Sequence, residues 1–424
     1  MSSFKISFIN LLSIFILSAC ASKPSLMPTP NIYNGHDRFS ENQIPLSQRK
    51  TEMDVIYVTD RLPVIDNDQY YGADRSSSMA YGLATVGFNN NSIDWNNLLT
   101  SSNQIIRDQR LTYKMANIIE HGRFPATPYP FTKTNSGIKI NPEISLKHQQ
   151  NIDGLQNLIK QKLNQSNTKD VILFIHGFNN TFDYATFTTA GLWHFLQRQG
   201  VPLVYSWPAA KGGLTGYFTD RESGEFTIFH LKETLRILFN TPEIENIHII
   251  AHSRGNDVAT TALRELIIEQ RAAGNNPKEK FKISNLIMAA PDLDFGVIQQ
   301  RLMTEKFGLA FDQITIYTSD NDNALGLSQW LMKGLRFGRI GSQDIGLNEK
   351  NIFSAVGNVN LIKVPKSKSF TGHDYFHSNP AVSSDLIRLI QNKSKPGSSD
   401  RPLILIENNF WSLPSDYLST KTQQ

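Results

Sequence analysis

The stretch Ile247-His248-Ile249-Ile250-Ala251-His252-Ser253-Arg254-Gly255-Asn256 decides the fold. Its first half is apolar and β-branched, which is typical of a buried central strand. The apolar run stops at Ala251, and beyond Gly255 the apolar residues recur at helical spacing: Val258, Ala259, Ala262, Leu263 and Leu266. The sequence therefore predicts a strand that turns abruptly into a helix, with a serine at the turn.

Small residues flank this serine at Ala251 and Gly255. A strand-to-helix turn with small flanks is typical of a nucleophile elbow, where the strained turn leaves no room for larger side chains. Ala251 stands where Gly is usual, a departure that the turn can accommodate. The five-residue pattern also occurs by chance as a plain small-residue turn, so the rest of the chain has to decide.

A second apolar strand, Val171 to Ile175, runs into His176-Gly177-Phe178-Asn179. In serine hydrolases with such an elbow, one oxyanion-hole N–H comes from this loop and the other from the residue after the nucleophile. By position these are the backbone N–H groups of Phe178 and Arg254. His176 lies too early in the chain order to be the favoured base, and we interpret it as a residue that supports the loop.

These motifs resemble the α/β-hydrolase superfamily, and more narrowly a bacterial group of α/β hydrolases of unassigned function. The resemblance covers roughly residues 52–390 and rests on Phe174 to Asn179, Tyr205 to Pro208, Ala251 to Asn256, Thr59-Asp60-Arg61 and Gly82 to Val86. It implies an α/β fold: a mostly parallel central sheet with helices on both faces, an N-terminal β-rich extension and insertions near the active site. Arg254 departs from the group, where Met is common. This bears on specificity more than on chemistry, because the oxyanion contact uses a backbone N–H.

The acid and the histidine should follow the serine in this fold. Asp322 lies in a family-like tract after the strand Gln313 to Tyr317, and it is the favoured acid. Asp292, after the preceding strand, and Asp320, which could simply cap its own turn, remain alternatives.

The base should follow the last strand, Val359 to Val364. His373 lies on the loop after it in a Gly-His-x-Tyr context like that of the group, and it is favoured over His377. Ser253, Asp322 and His373 would then act on carboxylic esters through an acyl-enzyme. A catalytically inactive envelope lipoprotein that binds or scaffolds is the alternative, because fold does not guarantee function.

The chain shows no cofactor motif and no metal motif. The tract Asp320-Asn321-Asp322 mimics the start of a calcium loop, but apolar residues occupy later ligand positions. Two insertions, 211–225 and 325–353, could cover the active site, although core packing explains their apolar residues equally well. The expected substrate is a small-molecule or lipid ester of unspecified chain length.

The amino-terminal sequence predicts where in the cell the protein is located. Residues 1–19 read as a signal peptide, and Cys20 is the only cysteine of the 424 residues. The tract Leu17-Ser18-Ala19-Cys20 resembles the lipoprotein box. The sequence therefore predicts a lipid anchor at Cys20, on the periplasmic face of the bacterial outer membrane, as the only membrane attachment.

We expect the remainder to form three parts. Residues 20–50 are rich in Pro, Ser and Asn and predict a flexible tether. The resemblance implies a hydrolase domain, which we expect over residues 51–395. The excess length is expected to form the β-rich extension at 51–130, and residues 396–424 a C-terminal tail. The net charge of +4 comes from 42 basic and 38 acidic residues that are dispersed, so no nucleic-acid partner is expected. The sequence leaves the oligomeric state open.

Overall fold

The computed structural model describes residues 23–35, 37–66, 69–90, 92–365 and 372–419. The predicted signal peptide and Cys20 lie outside the described residues, so the lipid anchor stays a prediction. Among the helices within the described ranges, none is long and apolar enough to cross a membrane.

A central sheet organises the chain. The strands of the described residues are β1 (Met53–Asp66), β2 (Gln69–Phe88), β3 (Tyr113–Arg123), β4 (Phe131–Thr134), β5 (Gly137–Ile140), β6 (Asp170–Ile175), β7 (Val201–Ser206), β8 (Asn246–His252), β9 (Ile283–Ala289), β10 (Gln313–Thr318), β11 (Val359–Lys363), β12 (Ile404–Glu407) and β13 (Phe410–Ser412). Eleven of them form one sheet in the order β12-β13-β11-β10-β9-β8-β6-β7-β1-β2-β3, and β4 pairs with β5 separately. Neighbours from β13 to β1 are parallel, and the strands outside this block are antiparallel.

Apolar residues on both faces explain why the middle strands are buried. Along β6, Val171, Leu173 and Ile175 pack into the core on one face, while Ile172 and Phe174 pack into the core on the other. This alternation follows from the two-residue period of a strand. Parallel strands covered on both faces read as continuous apolar runs, and the predicted mostly parallel α/β sheet is confirmed.

Helices cover both faces of the sheet. The longer ones are α1 (Trp95–Ser102), α2 (Pro142–Leu163), α3 (Phe182–Phe195), α4 (Gly213–Phe239), α5 (Gly255–Ala272), α6 (Asn323–Met332), α7 (Leu347–Val356) and α8 (Pro380–Asn392), with short helices at Pro277–Phe281, Phe295–Val297 and Tyr375–Ser378 and a π-helix at Ile298–Met303. Helices α2, α4 and α5 pack on one face, through Leu155, Leu231 and Leu263. Helices α3 and α8 pack on the other, through Leu192 and Leu386.

The predicted tether at 20–50 is wrong for its described part. This segment forms short 3₁₀ turns and buries apolar side chains in the core beside α3 and α8: Leu26, Met27, Ile32, Tyr33, Phe39 and Ile44. The Tyr33 hydroxyl donates to Phe195 O at 2.7 Å. These apolar residues lie at irregular spacing among Pro, Ser and Asn, so neither a helical nor a strand period reveals their burial.

The predicted tail at 396–424 is also wrong for its described part. Strand β13 pairs in parallel with β11, and β12 forms the edge of the central sheet. The Arg401 guanidinium is fully buried and donates through two nitrogens to the Asp385 carboxylate, each at 2.8 Å. The described C-terminal residues are therefore part of the same folded body as α8.

Candidate active site

Ser253 follows the last residue of β8 in a strained turn. Its backbone has a φ of 53°, which is uncommon for a residue other than glycine and is often found at functional sites. Ser253 N donates to Ala289 O at 3.0 Å, and Asn256 N donates to Ser253 O at 3.1 Å. Helix α5 begins at Gly255, directly behind the serine. The strand, the turn and the helix thus lie where the sequence predicts them.

The turn after β6 packs directly against this serine. A Cβ placed on Gly177 would lie 2.6 Å from Ser253 Cβ, and one placed on Gly255 would lie 2.3 Å from His176 O. Real Cβ contacts essentially never come below 3.0 Å. Glycine is therefore needed at both positions for the two turns to meet backbone to backbone, which holds Phe178 beside the serine.

Two backbone N–H groups remain available at this junction. Within the described part of the chain, neither the Phe178 N–H nor the Arg254 N–H has a hydrogen-bond acceptor. Arg254 is the residue that precedes α5, so its N–H lies at the positive end of the helix dipole. An anion next to Ser253 would thus find unsatisfied donors.

Asp322 and His373 form a hydrogen-bonded pair. His373 Nδ1 lies 2.7 Å from Asp322 Oδ2, while Asp322 Oδ1 accepts from Leu325 N at 2.9 Å as the N-cap of α6. The Asp322 side chain is fully buried, and that of His373 is 16% exposed. A buried carboxylate with both oxygens occupied can hold an imidazole in one tautomer and one orientation.

The environment favours the protonated form of His373. Burial alone lowers the pKa of His373, but the charge and hydrogen bond of Asp322 oppose it, with smaller effects of Asp292 and Asp374. The pKa therefore lies above its ordinary value. A carboxylate that stabilises the imidazolium is what a general base next to a nucleophile requires.

The neighbouring His252 supports the loop that carries His373. Its Nε2 lies 3.1 Å from His373 O, so Nε2 carries the proton and donates. The two rings have centroids 4.8 Å apart. Burial, together with the charge of His373, lowers the pKa of His252 well below its ordinary value, and it therefore remains neutral. Between the described atoms no hydrogen bond joins Ser253 Oγ to His373, and such bonds are often long until substrate is bound.

The alternative residues have other partners. The Asp292 carboxylate accepts from the Tyr217 hydroxyl at 2.8 Å and from Ser328 Oγ at 2.7 Å. Asp320 is partly exposed and forms an ion pair with Lys363. His377 packs edge-on against the Phe376 ring, and burial lowers its pKa. The structure thus pairs Asp322, and not these residues, with His373.

The sequence did not predict several side-chain contacts at the site. The Tyr217 ring lies edge-on to the Phe178 ring, with centroids 5.4 Å apart, and the Arg254 guanidinium lies 6.0 Å from the Tyr217 ring. Tyr217 comes from the first turns of α4, inside the predicted insertion 211–225. Arg61, in the Thr-Asp-Arg motif, and Asp220 hold the loop that carries Phe178. The motif marked Arg61, but nothing in the sequence showed what it contacts.

The comparison with protein families agrees with this fold. Residues 152–393 match the family described as alpha/beta hydrolase of unknown function (DUF900). The chain belongs to this family. Membership shows a hydrolase-like α/β fold and leaves the substrate open. In this DUF900 chain the matched region spans β6 to α8, and therefore includes Ser253, Asp322 and His373.

Other comparisons add little. No curated protein matches the chain. A crystal structure at 2.75 Å resolution of an uncharacterized protein from Bacillus cereus ATCC 10987 is 15% identical, with a TM-score of 0.34, covering 60% of this chain and 71% of that one. Nothing about the chemistry of the DUF900 chain follows from so distant a likeness.

Proposed function

We propose that the protein is a serine hydrolase of carboxylic esters, with Ser253 as nucleophile, His373 as general base and Asp322 as the acid that orients it. The observation that carries the proposal is the Asp322–His373 pair, at 2.7 Å, on the sheet edge where Ser253 occupies its strained turn. The carboxyl ends of parallel strands meet at one edge of a sheet, and the positions of the three residues after β8, β10 and β11 support a common site.

The proposed reaction has two steps. Ser253 Oγ attacks the acyl carbonyl while its proton passes to His373 Nε2, which then protonates the departing alcohol and leaves an acyl-enzyme. His373 next takes a proton from water, whose oxygen attacks the acyl carbon. The acid is released and the proton returns to Ser253. Asp322 does not take this proton, and its carboxylate stabilises the imidazolium.

The backbone supplies the oxyanion hole in this scheme. The N–H groups of Phe178 and Arg254 would bind the negative oxygen of each tetrahedral intermediate. One such donor typically contributes about 3 to 4 kcal/mol to transition-state stabilisation. Their lack of other acceptors among the described residues supports this role, because donors that are already free need no rearrangement.

The aromatic surroundings favour an acyl or lipid-like substrate. The Phe178 and Tyr217 rings lie edge to face, the Arg254 side chain lies near the Tyr217 ring, and the Tyr217 side chain is buried. Apolar walls with few polar groups suit an acyl chain.

We also propose that the enzyme is anchored through lipidated Cys20 at the outer membrane, which would bring it close to lipid esters.

Hydrolysis of nitrophenyl esters of graded chain length tests the proposal. We expect Ser253→Ala to lose both turnover and labelling by a fluorophosphonate probe. Ser284→Ala is a matched control, because Ser284 is also buried. Ser284 lies at the amino-terminal end of β9, away from the candidate site, and its hydroxyl donates to Asn246 Oδ1. If the folded wild-type protein neither hydrolyses these esters nor takes the label, the binding or scaffolding function is correct instead.

A further inference from the structure

Arg61 is a fully buried arginine at the end of the sheet that carries the candidate site. A guanidinium has five N–H donors, and each finds an acceptor here. Nε donates to Ser206 Oγ at 2.8 Å, Nη1 to Gly72 O at 2.9 Å and Ala209 O at 3.1 Å, and Nη2 to His176 Nε2 at 3.2 Å and Asn180 O at 2.7 Å. This saturated network fixes the position of the side chain.

None of these five acceptors is a carboxylate. Burial lowers the pKa of Arg61 to about 10, and the more distant charges of Asp60, Asp220 and Asp183 partly offset this. The guanidinium therefore stays protonated at neutral pH. Desolvating a cation is costly unless its hydrogen bonds are well made. Packing alone does not explain why a fully buried arginine has only neutral hydrogen-bond partners.

Two of the acceptors lie on either side of Phe178. His176 precedes it by two residues and Asn180 follows it by two. Arginine can only donate, so His176 Nε2 accepts, and Nδ1 carries the proton and donates to Gly177 O at 2.9 Å. Burial and the Arg61 charge keep the pKa of His176 well below its ordinary value. Arg61 thereby fixes both ends of the loop and one tautomer.

Neighbouring groups hold the same loop from other sides. The His176 ring stacks on Trp207, with centroids 5.2 Å apart and planes at 7°, and Trp207 Nε1 donates to His176 O at 2.7 Å. The Asp220 carboxylate of α4 accepts from Asn179 N at 3.0 Å and from Ala210 N at 3.2 Å. Asn179 has a φ of 53°, a conformation that asparagine tolerates but that needs support.

We propose that Arg61 is a positioning residue for the oxyanion hole: its bonds to His176 and Asn180 hold the Phe178 N–H in place beside Ser253, with Asp220 bracing Asn179. The proposal rests on the proposed ester hydrolysis, which it deepens. Arg61 touches no reacting atom. It acts because a backbone donor displaced by even about 1 Å loses much of its effect on the transition state.

The test uses Arg61→Lys in the full chain, with Arg198→Lys as the control. Arg198 is equally buried and donates to backbone carbonyls, Gln48 O at 2.6 Å and Lys50 O at 2.8 Å, but these belong to the N-terminal segment. Lysine keeps the charge and loses the planar set of donors. Both variants should lower the melting temperature, so a drop in melting temperature alone does not separate the two positions.

The deciding measurements are made per reactive serine, counted by fluorophosphonate titration. We expect Arg61→Lys to lower kcat by about 10- to 100-fold with little change in KM, since removal of a whole oxyanion donor costs about 100- to 1,000-fold. The affinity for a trifluoromethyl ketone, whose tetrahedral adduct carries the oxyanion, should fall by the same factor. Arg198→Lys should keep the wild-type kcat and the wild-type ketone affinity.

A wild-type kcat and ketone affinity in Arg61→Lys would overturn the positioning role while leaving ester hydrolysis intact. If Arg61→Lys does not fold, Asp220→Ala gives the same measurements, because alanine removes the Oδ2 atom that accepts from both Asn179 N and Ala210 N. An unchanged kcat in that variant would overturn the proposal as well. A wild-type protein without esterase activity or label overturns both the proposed function and this inference.

Discussion

Replacing Asp322 by Asn should remove most of the activity and little of the stability. Asp322 uses one oxygen to accept from Leu325 N and the other to contact His373 Nδ1. Asparagine has a single oxygen. If that oxygen accepts from Leu325 N and so keeps the helix cap, the NH₂ group of the asparagine faces His373 Nδ1. It then forces the wrong imidazole tautomer. A change of this kind in a serine hydrolase lowers kcat by about 10,000-fold.

Stability separates this loss from misfolding. Asn and Asp are equally good N-caps, whereas Ala at an N-cap costs about 1 kcal/mol. Asp322→Asn should therefore melt near the wild-type temperature, and Asp322→Ala should melt a few degrees lower, at about 2 to 4 °C per kcal/mol. The assay is kcat/KM on a short nitrophenyl ester, together with a thermal melt of each variant.

The control is Asp320→Asn, two residues away at a partly exposed ion pair with Lys363. It should keep wild-type kcat/KM. Wild-type-like turnover in Asp322→Asn, alongside an inactive Ser253→Ala, would refute the assignment of the acid. Asp292→Asn would then be examined next, since Asp292 N donates to Ser253 O at 3.2 Å.

Further expectations concern the base, Gly177, which packs against the serine, the C-terminal strands and the anchor. Because the pKa of His373 is raised and the base must be neutral, kcat/KM should fall as the pH drops through a pKa above the ordinary histidine value, and a pH profile of Asp322→Asn should show this inflection at lower pH. Gly177→Ala should cut fluorophosphonate labelling by at least about 100-fold, because its Cβ would lie 2.6 Å from the Cβ of the serine; full labelling would show that the loop can shift. Arg401→Met should destabilise the fold by about 3 to 5 kcal/mol in urea unfolding, since it leaves a buried carboxylate unpaired, and a loss below about 1 kcal/mol would contradict this. Cys20→Ser should abolish incorporation of radiolabelled palmitate, and label that persists would refute the anchor.

Short apolar runs made the sheet predictable. Strands β6 and β8 to β11 appear in the sequence as short β-branched stretches, and each ends where a candidate side chain follows. The chain order of a serine hydrolase then selected Asp322 and His373, whose side chains the structure joins at 2.7 Å. Their catalytic roles stay predictions until they are measured.

Contacts between distant backbone segments were not predictable. The acceptors of Arg61 include carbonyl groups as far along the chain as Ala209, and a carbonyl group leaves no mark in the sequence. The N-terminal segment was misread for a related reason. Its buried side chains dock singly onto α3 and α8, and a composition rich in Pro and Ser hides such docking. Tertiary contacts, more than local propensity, decide both cases.

The docked N-terminal segment sets how far the folded body could lie from the proposed lipid anchor at Cys20. A flexible tether over residues 20–50 would allow the folded body to lie far from a membrane. Since Leu26 and Met27 are already packed in the core of the folded body, only a few residues separate them in the sequence from Cys20. Extended backbone spans about 3.5 Å per residue, so the folded body would lie within about 20 Å of the bilayer surface. With the proposed anchor and the proposed ester hydrolysis together, the protein would meet its substrate by lateral diffusion, and esters embedded in or delivered along the membrane surface would be within its reach.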